Sequence, residues 1–260
     1  MTEKKPAWAI EKERRRKQGP EPVWLFGLHA VRDALLNPRR DRQRLVLTRN
    51  ALSRLEDAVA TSGMTPEMAE PRKFPVPLDP GSVHQGAAVL TLPLDWGDIA
   101  DVCAMGETGV VVMLDRVTDP HNVGAILRSA EVFGAKAVIA PLRHAAPETG
   151  ALAKAASGAL ERQPYLRVKN LAAAMEEVRE LGYTLIGLAG EEDSDISHAI
   201  AAAPGAVALV LGAEGPGLRQ KTRETCDAIA AIPSAGEFGS LNVSNAAAVA
   251  LFAASNRGIG

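Results

Sequence analysis

Apolar residues recur along this 260-residue chain in two rhythms. Short, nearly unbroken apolar runs at 44–48, 87–94, 109–114, 137–140, 184–188 and 207–211 predict strands. The run GVVVML at 109–114 has the unbroken character of a strand buried on both faces. Between the runs, apolar positions fall at helical spacing. Leu28, Val31, Leu35 and Leu36 share one face of a helix opening at Phe26-Gly27 and stopped by Asn37-Pro38. Further helices are predicted over 51–61, ended by Gly63, over 123–133 with Ile126, Leu127, Ala130 and Phe133 inward, and over 151–160 and 171–181. A last Ala/Val-rich helix spans 243–255, with Asn242 as its cap.

The order of these elements divides the chain. Residues 21–95 predict a small α/β unit, residues 96–108 break the pattern as a connection, and residues 109–260 alternate strand and helix. Such alternation gives a parallel sheet covered on both faces. Ligands of such sheets sit beyond the carboxyl ends of the strands.

Composition narrows the class. Apolar residues make up 47% and charged residues 23%, which is globular rather than disordered, and the net charge of −2 gives no global basic field. The most apolar stretch, residues 199–213, is broken by Pro204-Gly205 and is too short to span a membrane. Cys103 and Cys226 stand apart with no CxxC, which disfavours a disulfide framework or zinc ribbon and fits a reducing, cytoplasmic setting. The histidines lack metal-ligand spacing, and the acidic run at 191–195 has no accompanying histidine, so no metal is expected. Residues 1–20 form a basic tail with seven Lys/Arg against three Glu and no apolar core of signal-peptide length. Arg39, Arg40, Arg42, Arg44 and Arg49 crowd eleven residues, a solvated loop or an RNA-facing patch.

Three loops in the second half carry candidate chemistry: residues 115–135, 211–219 and 232–252. Each sets glycines and an amide or carboxylate at the start of a predicted helix, where free N–H groups favour polar ligand groups. Gly215-Pro216-Gly217 is followed by Gln220 where a dinucleotide fingerprint needs glycine, and no GxxxxGK[ST] occurs. Taken singly, Asn122 and Asn242 fit helix caps, Glu214 a helix-start charge, and Arg128 a surface ion pair.

Taken together, the loops resemble the three motifs of the SpoU (TrmH-like) family of RNA ribose 2′-O-methyltransferases. Asn122, Gly124, Arg128, Ser129, Phe133 and Gly134 match the first motif. Gly212, Glu214, Gly215, Gly217 and Leu218 match the second. Pro233, Gly236 and the SLNVS segment at 240–244 match the third, with departures at Ser234 and Asn245. The GLHAV and HQG segments at 27–31 and 84–86 resemble the ribosomal-protein-like RNA-binding unit of the subgroup that methylates a guanosine of 23S rRNA.

The resemblance implies an α/β fold whose parallel sheet carries a deep trefoil knot (a SPOUT-type domain), preceded by a small α/β RNA-binding domain. It implies a homodimer and S-adenosylmethionine held by Gly212, Ile232 and Leu241, with Leu188, Ala189, Gly190 and Gly217 beside them. Arg128 is implied as the essential residue at the ribose, with Asn122, Glu214, Ser240 and Asn242 positioning it. Arg39, Arg40, Arg42, Arg44, His29 and His84 are the expected RNA contacts. The implied substrate is 23S rRNA. The alternatives are tRNA or a non-catalytic RNA-binding assembly factor.

Overall fold

The computed structural model describes residues 20–79, 81–104, 109–190, 194–234 and 241–257. The expected tail, apart from Pro20, lies outside the described residues, as do four residues of the expected connection.

The first unit runs β1 (Val23–Phe26), α1 (Leu28–Leu36), β2 (Arg42–Thr48), α2 (Arg49–Ser62), β3 (Glu67–Ala69) and β4 (Ala87–Thr91). Its strands form a four-stranded sheet in the order β1-β4-β2-β3, with β4 antiparallel to both β1 and β2, and β3 parallel to β2. The helix expected to open at Phe26 begins only at Leu28. Val23 to Phe26 pair with β4, and Gly27, at φ 92°, turns the chain between strand and helix.

A single-turn helix, α3 (Ile99–Val102), interrupts the expected connection and buries Ile99 and Cys103. There follow β5 (Val110–Asp115), α4 (Pro120–Val132), β6 (Ala137–Pro141), α5 (Gly150–Ala156), β7 (Tyr165–Val168) and α6 (Leu171–Glu180). The chain continues through β8 (Thr184–Leu188), α7 (Ile196–Ala202), β9 (Val207–Gly212), α8 (Gln220–Thr225), β10 (Ala228–Ala230) and α9 (Val243–Ser255). The helix expected over 151–160 stops at Ala156. Ser157 and Gly158 take left-handed φ values of 49° and 90°, and one 3₁₀ turn (Ala159–Glu161) follows.

The second sheet is wholly parallel, in the order β10-β8-β9-β5-β6-β7. All six residues of β5 are buried, as the unbroken apolar run requires. Its alternation places Val110, Val112 and Leu114 in the cluster beneath α4, α5 and α9, and Val111 and Met113 in the cluster beneath α3 and α6. Connections leave β5 toward β6 on one side, whereas β9 lies between β5 and β8. The strand order therefore reverses at the β5–β9 pair.

The two sheets share one apolar cluster, which runs from Leu25, Val31 and Leu45 to Ile126, Leu152 and Leu160. Gly150 makes this approach possible. A Cβ there would lie 2.3 Å from the Phe26 ring and 2.5 Å from the Trp24 carbonyl oxygen.

Beside this contact Arg40, only 2% exposed, is locked between acids of the second unit. Its Nε and Nη2 donate to the two carboxylate oxygens of Glu161 at 3.0 and 2.7 Å, and its Nη1 donates to Glu148 and to the Leu92 carbonyl. Asn37 donates to the same Glu161 carboxylate at 2.8 Å. Burial alone would lower the Arg40 pKa, but the bonds to Glu161 and the charge of Glu148 raise it. Burial pushes the Glu148 carboxyl above its ordinary value despite Arg40 beside it. Arg40 is thus a strut between units, which corrects the expectation that it faces RNA.

Removing Arg40 strands two buried carboxyl groups, a change that typically costs about 3–5 kcal/mol. Arg40→Ala is expected to lower the urea midpoint accordingly, and an unchanged midpoint would show that the ionic contact carries no stability.

Candidate active site

Two polar clamps hold the loop after β9 in place. Ala213 to Gly217 form a tight turn closed by a 2.9 Å bond from the Gly217 amide to the Ala213 carbonyl. The turn folds back over the end of β9 so closely that a Cβ on Gly212 would sit 2.1 Å from the Gly217 carbonyl carbon. Only glycine fits there.

The first clamp is Asp115, fully buried at the carboxyl end of β5 and paired in register with Gly212. Its carboxylate accepts from the Arg219 backbone amide at 3.0 Å and from Arg219 Nε at 2.7 Å. The second clamp is Glu214 at the tip of the turn. Its Oε1 accepts from Asn122 Nδ2 at 3.2 Å, from Asn242 Nδ2, and from the Val243 amide at 3.4 Å. Asn242 Nδ2 also donates to Asn122 Oδ1 at 3.0 Å. Asn122 sits in the first turn of α4, which begins at Pro120 behind the Asp119 cap. Asn242 caps α9, its Oδ1 accepting the Ser244 amide at 2.9 Å and the Ser244 hydroxyl at 2.6 Å.

Beside these clamps lies an open cleft of about 1050 Å³. All seven residues expected to hold a cofactor line it: Leu188, Ala189 and Gly190 after β8, Gly212 and Gly217 around the turn, Ile232 beyond β10, and Leu241 ahead of α9. Ile232 and Leu241 supply apolar walls and the loops supply backbone polar groups, the usual makeup of a small-molecule site.

The structure thus gathers Asn122, Glu214 and Asn242 at the cleft rim. Ser240 and Gly236 lie outside the described residues. Arg128 is not brought to this cluster. It stands exposed on α4, and its side chain makes no hydrogen bond or ion pair among the described residues. Six residues separate it from Asn122, so at about 100° per residue the two side chains leave different faces of the helix.

The expected RNA contacts of the first unit are largely occupied. Arg39 donates to the Asp95 carbonyl at 2.7 Å and lies over the Trp96 ring. Arg42 donates to the Leu35 and Asn37 carbonyls behind α1. Arg44 pairs with Glu67 and lies over Trp24. His84 stacks on Phe74, and its Nδ1 accepts the Gly86 amide at 3.1 Å, with burial lowering its pKa. Gln85 Oε1 accepts the Leu28 amide at 3.1 Å, so the HQG turn closes the start of α1. His29 is exposed.

The Asp115–Arg219 clamp was not among the expected site residues. Its signal is an acidic residue ending a wholly apolar strand, because such a carboxylate must find a cation to stay charged when buried. The environment of the two thiols disfavours the thiolate. Burial pushes Cys103 up to about 11 and Cys226 up to about 12, far from the thiolate range.

Comparison with known proteins places this geometry. The model of the SpoU rRNA Methylase family matches residues 109–252. A 23S rRNA (guanosine-2′-O-)-methyltransferase RlmB from Vibrio vulnificus is 40% identical over 246 residues, covering 89% of this chain and 95% of that protein. The RlmB of Escherichia coli K12 is 38% identical over 238 residues, covering 88% and 96%. The SpoU methyltransferase AviRb from Streptomyces viridochromogenes, solved in complex with the cofactor AdoMet, superposes with a TM-score of 0.76 at 25% identity, covering 94% and 92%. An AdoMet-bound rRNA methyltransferase from Sinorhizobium meliloti shares the fold at a TM-score of 0.74 and 23% identity, covering 95% and 91%.

The Asp115 clamp yields a direct expectation. Asp115→Asn removes the buried charge that holds Arg219, a loss on the order of 1.5–3 kcal/mol for a charged hydrogen bond. Hydrogen–deuterium exchange is expected to show faster exchange at the Gly217 amide, while protection of β5 is kept. Unchanged protection across 212–219 would remove Asp115 as the anchor of the turn.

Proposed function

The chain belongs to the SpoU rRNA methylase family, and from that premise we propose that it methylates a ribose 2′-hydroxyl of RNA, a guanosine of 23S rRNA, using S-adenosylmethionine. The observation that carries this reading is the coincidence of one cleft, lined by all seven expected cofactor residues, with the Asn122–Glu214–Asn242 cluster at its rim. The RlmB relatives cover nearly their whole length and supply the substrate class. A cytoplasmic location follows from that substrate. Among the described residues no helix is long and apolar enough to cross a membrane.

The residues fit the cofactor. Ile232 and Leu241 would flank a flat apolar ring, and the turn at Gly212–Gly217 offers main-chain groups without side chains in the way. When bound, S-adenosylmethionine supplies an activated methyl group. The protein supplies alignment. Glu214 gathers three donors on a single carboxylate oxygen, which fixes both asparagine side chains and leaves them rigid at the rim. The C-terminal segment is read as threaded in a trefoil knot. This follows from membership of the family, and the return of the chain from the edge strand β10 to seat α9 against α4 and β9 is in keeping with it.

Arg128 completes the site from a surface position. Its part is to hold a phosphate beside the reacting ribose and to stabilise the developing alkoxide. Its surroundings favour a homodimer. On α4 it shares a face with Val132, 76% exposed, and the adjoining α9 exposes Val249 at 43% and Phe252 at 58%. Phe252 meets Phe133 edge-on at 6.0 Å, which makes the two helices one continuous face. Large apolar side chains so exposed mark an interface. A second copy seated there brings Arg128 to the boundary between subunits.

With labelled S-adenosylmethionine and unmodified 23S rRNA, nuclease digestion is expected to yield 2′-O-methylguanosine. Label appearing only in tRNA would replace the substrate, and no transfer to any RNA would overturn the activity. Arg128→Ala is expected to lower the rate at least a hundredfold while the cofactor still binds, and a variant of near-parental rate would remove Arg128 from the chemistry. Light scattering is expected to give a dimer for the parent and a monomer for Phe252→Asp. A monomeric parent would sink the assembly.

A further inference from the structure

Some surface cations of this chain are answered by acids: Arg44 by Glu67, Arg162 by Asp33 and Glu131, and Arg179 by Glu176 and Asp227. Among the described residues others have no acid partner, such as Arg49, Arg54, Arg72 and Lys73 scattered over the first unit. At the carboxyl ends of β5, β6 and β7 such cations stand in sequence along one sheet edge: Arg116 follows β5, Arg143 follows β6 with the His144 imidazole beside it, and Lys169 follows β7. All four are exposed, and none makes a hydrogen bond or ion pair among the described residues. The acids near them in sequence are engaged elsewhere: Asp115 holds Arg219, Asp119 caps α4 and Glu148 is turned inward to Arg40.

The sheet order places these loops in one line. β5, β6 and β7 are consecutive neighbours, so at about 4.8 Å per strand the cations run outward over roughly 10 Å. The line starts at β5, whose loop leads into the first turn of α4 and Asn122. It therefore begins at the rim of the cleft and leaves it in the direction away from Ile232 and Leu188.

The middle loop is built to stand still. Arg167 reaches beneath it, donating to the Ala146 carbonyl at 2.7 Å, to the Pro141 carbonyl at 3.0 and 3.2 Å, and to the Leu142 carbonyl at 3.0 Å. The Tyr165 hydroxyl donates to the same Ala146 carbonyl at 2.7 Å. No carboxylate bonds to Arg167 among the described residues, so its charge adds to the edge. Held from below, the loop turns Leu142, Arg143 and His144 outward, with Leu142 51% exposed and His144 at a left-handed φ of 60°. An apolar side chain, a cation and an imidazole on a braced tip match the two parts of a nucleotide, base and phosphate.

We propose that this edge is the track for the RNA strand flanking the reacting ribose, with phosphates on Arg116, Arg143 and Lys169 and a base against Leu142 and His144. The proposal rests on the RNA reading above and adds to it where the strand runs. It moves the main phosphate contacts from the arginine-rich segment at 39–49, where the structure finds internal partners for four of the five, to the sheet edge.

The test uses the full chain, a 23S rRNA transcript and S-adenosylhomocysteine. For single strands each neutralised phosphate contributes about 0.7 to the slope of log affinity against log salt. The triple variant Arg116→Gln, Arg143→Gln, Lys169→Gln is expected to bind the transcript at least tenfold more weakly, with the slope reduced by about 2. Its affinity for S-adenosylhomocysteine is expected to match the parent. Equal RNA affinity and equal slope would overturn the track. A parallel loss of S-adenosylhomocysteine affinity would also overturn it, because the residues would then be supporting the cleft. Binding is read without turnover, so a parent that grips the transcript yet transfers no methyl group fails the activity and leaves the track measured on its own.

Discussion

A guanidinium cannot shed its proton inside a protein, and that constraint organises this molecule around Arg40. Buried and charged, it must be surrounded by acceptors, and these come from both halves of the chain: Glu161 and Glu148 from the second unit, the Leu92 carbonyl from the first. The carboxyl groups in turn are confined to the one place where that cation stands. A buried pair of this kind adds little net stability over an apolar contact, but it admits very few geometries. It fixes the small sheet against α5 and the 3₁₀ turn, so the first unit has a set position relative to the parallel sheet.

From that frame the site follows by simple mechanics. Parallel strands all end on the same edge, and three loops from that edge meet at the point where strand order reverses. The loops are short of large side chains at their closest approaches and are tied by two carboxylates, Asp115 beneath and Glu214 above. A binding surface made of backbone and glycine has little rotamer freedom to lose, and this rigidity suits a site whose task is alignment.

Much of this was legible in the chain itself. The unbroken run VVVML and the helix of Ala and Val after Asn242 are long enough for their period to decide the element, and both formed where expected. β1, β3, β7 and β10 were missed because strands of three or four residues carry too few positions to show a period. The cofactor residues came from motif resemblance and were found around one cleft, whereas spacing alone gave only caps and charges. The arginine-rich segment misled for a definite reason. The acids that answer Arg40 lie 108 and 121 residues away, and no local window contains them. Arg128 was placed correctly on its helix, but its isolation in a single chain was invisible from sequence.

The Glu214 cluster has a consequence for time as well as space. It joins segments 92 and 120 residues apart, so none of its bonds can form by local collapse. Contacts of such long range carry a larger loop-closure cost than local ones. The sheet can be largely assembled while α9 is still undocked, and in that interval Glu214 and Asn122 have no Asn242 to complete them. A chain caught at that stage would hold the β9 turn loosely. The Glu214 cluster is therefore complete only once the final helix is seated.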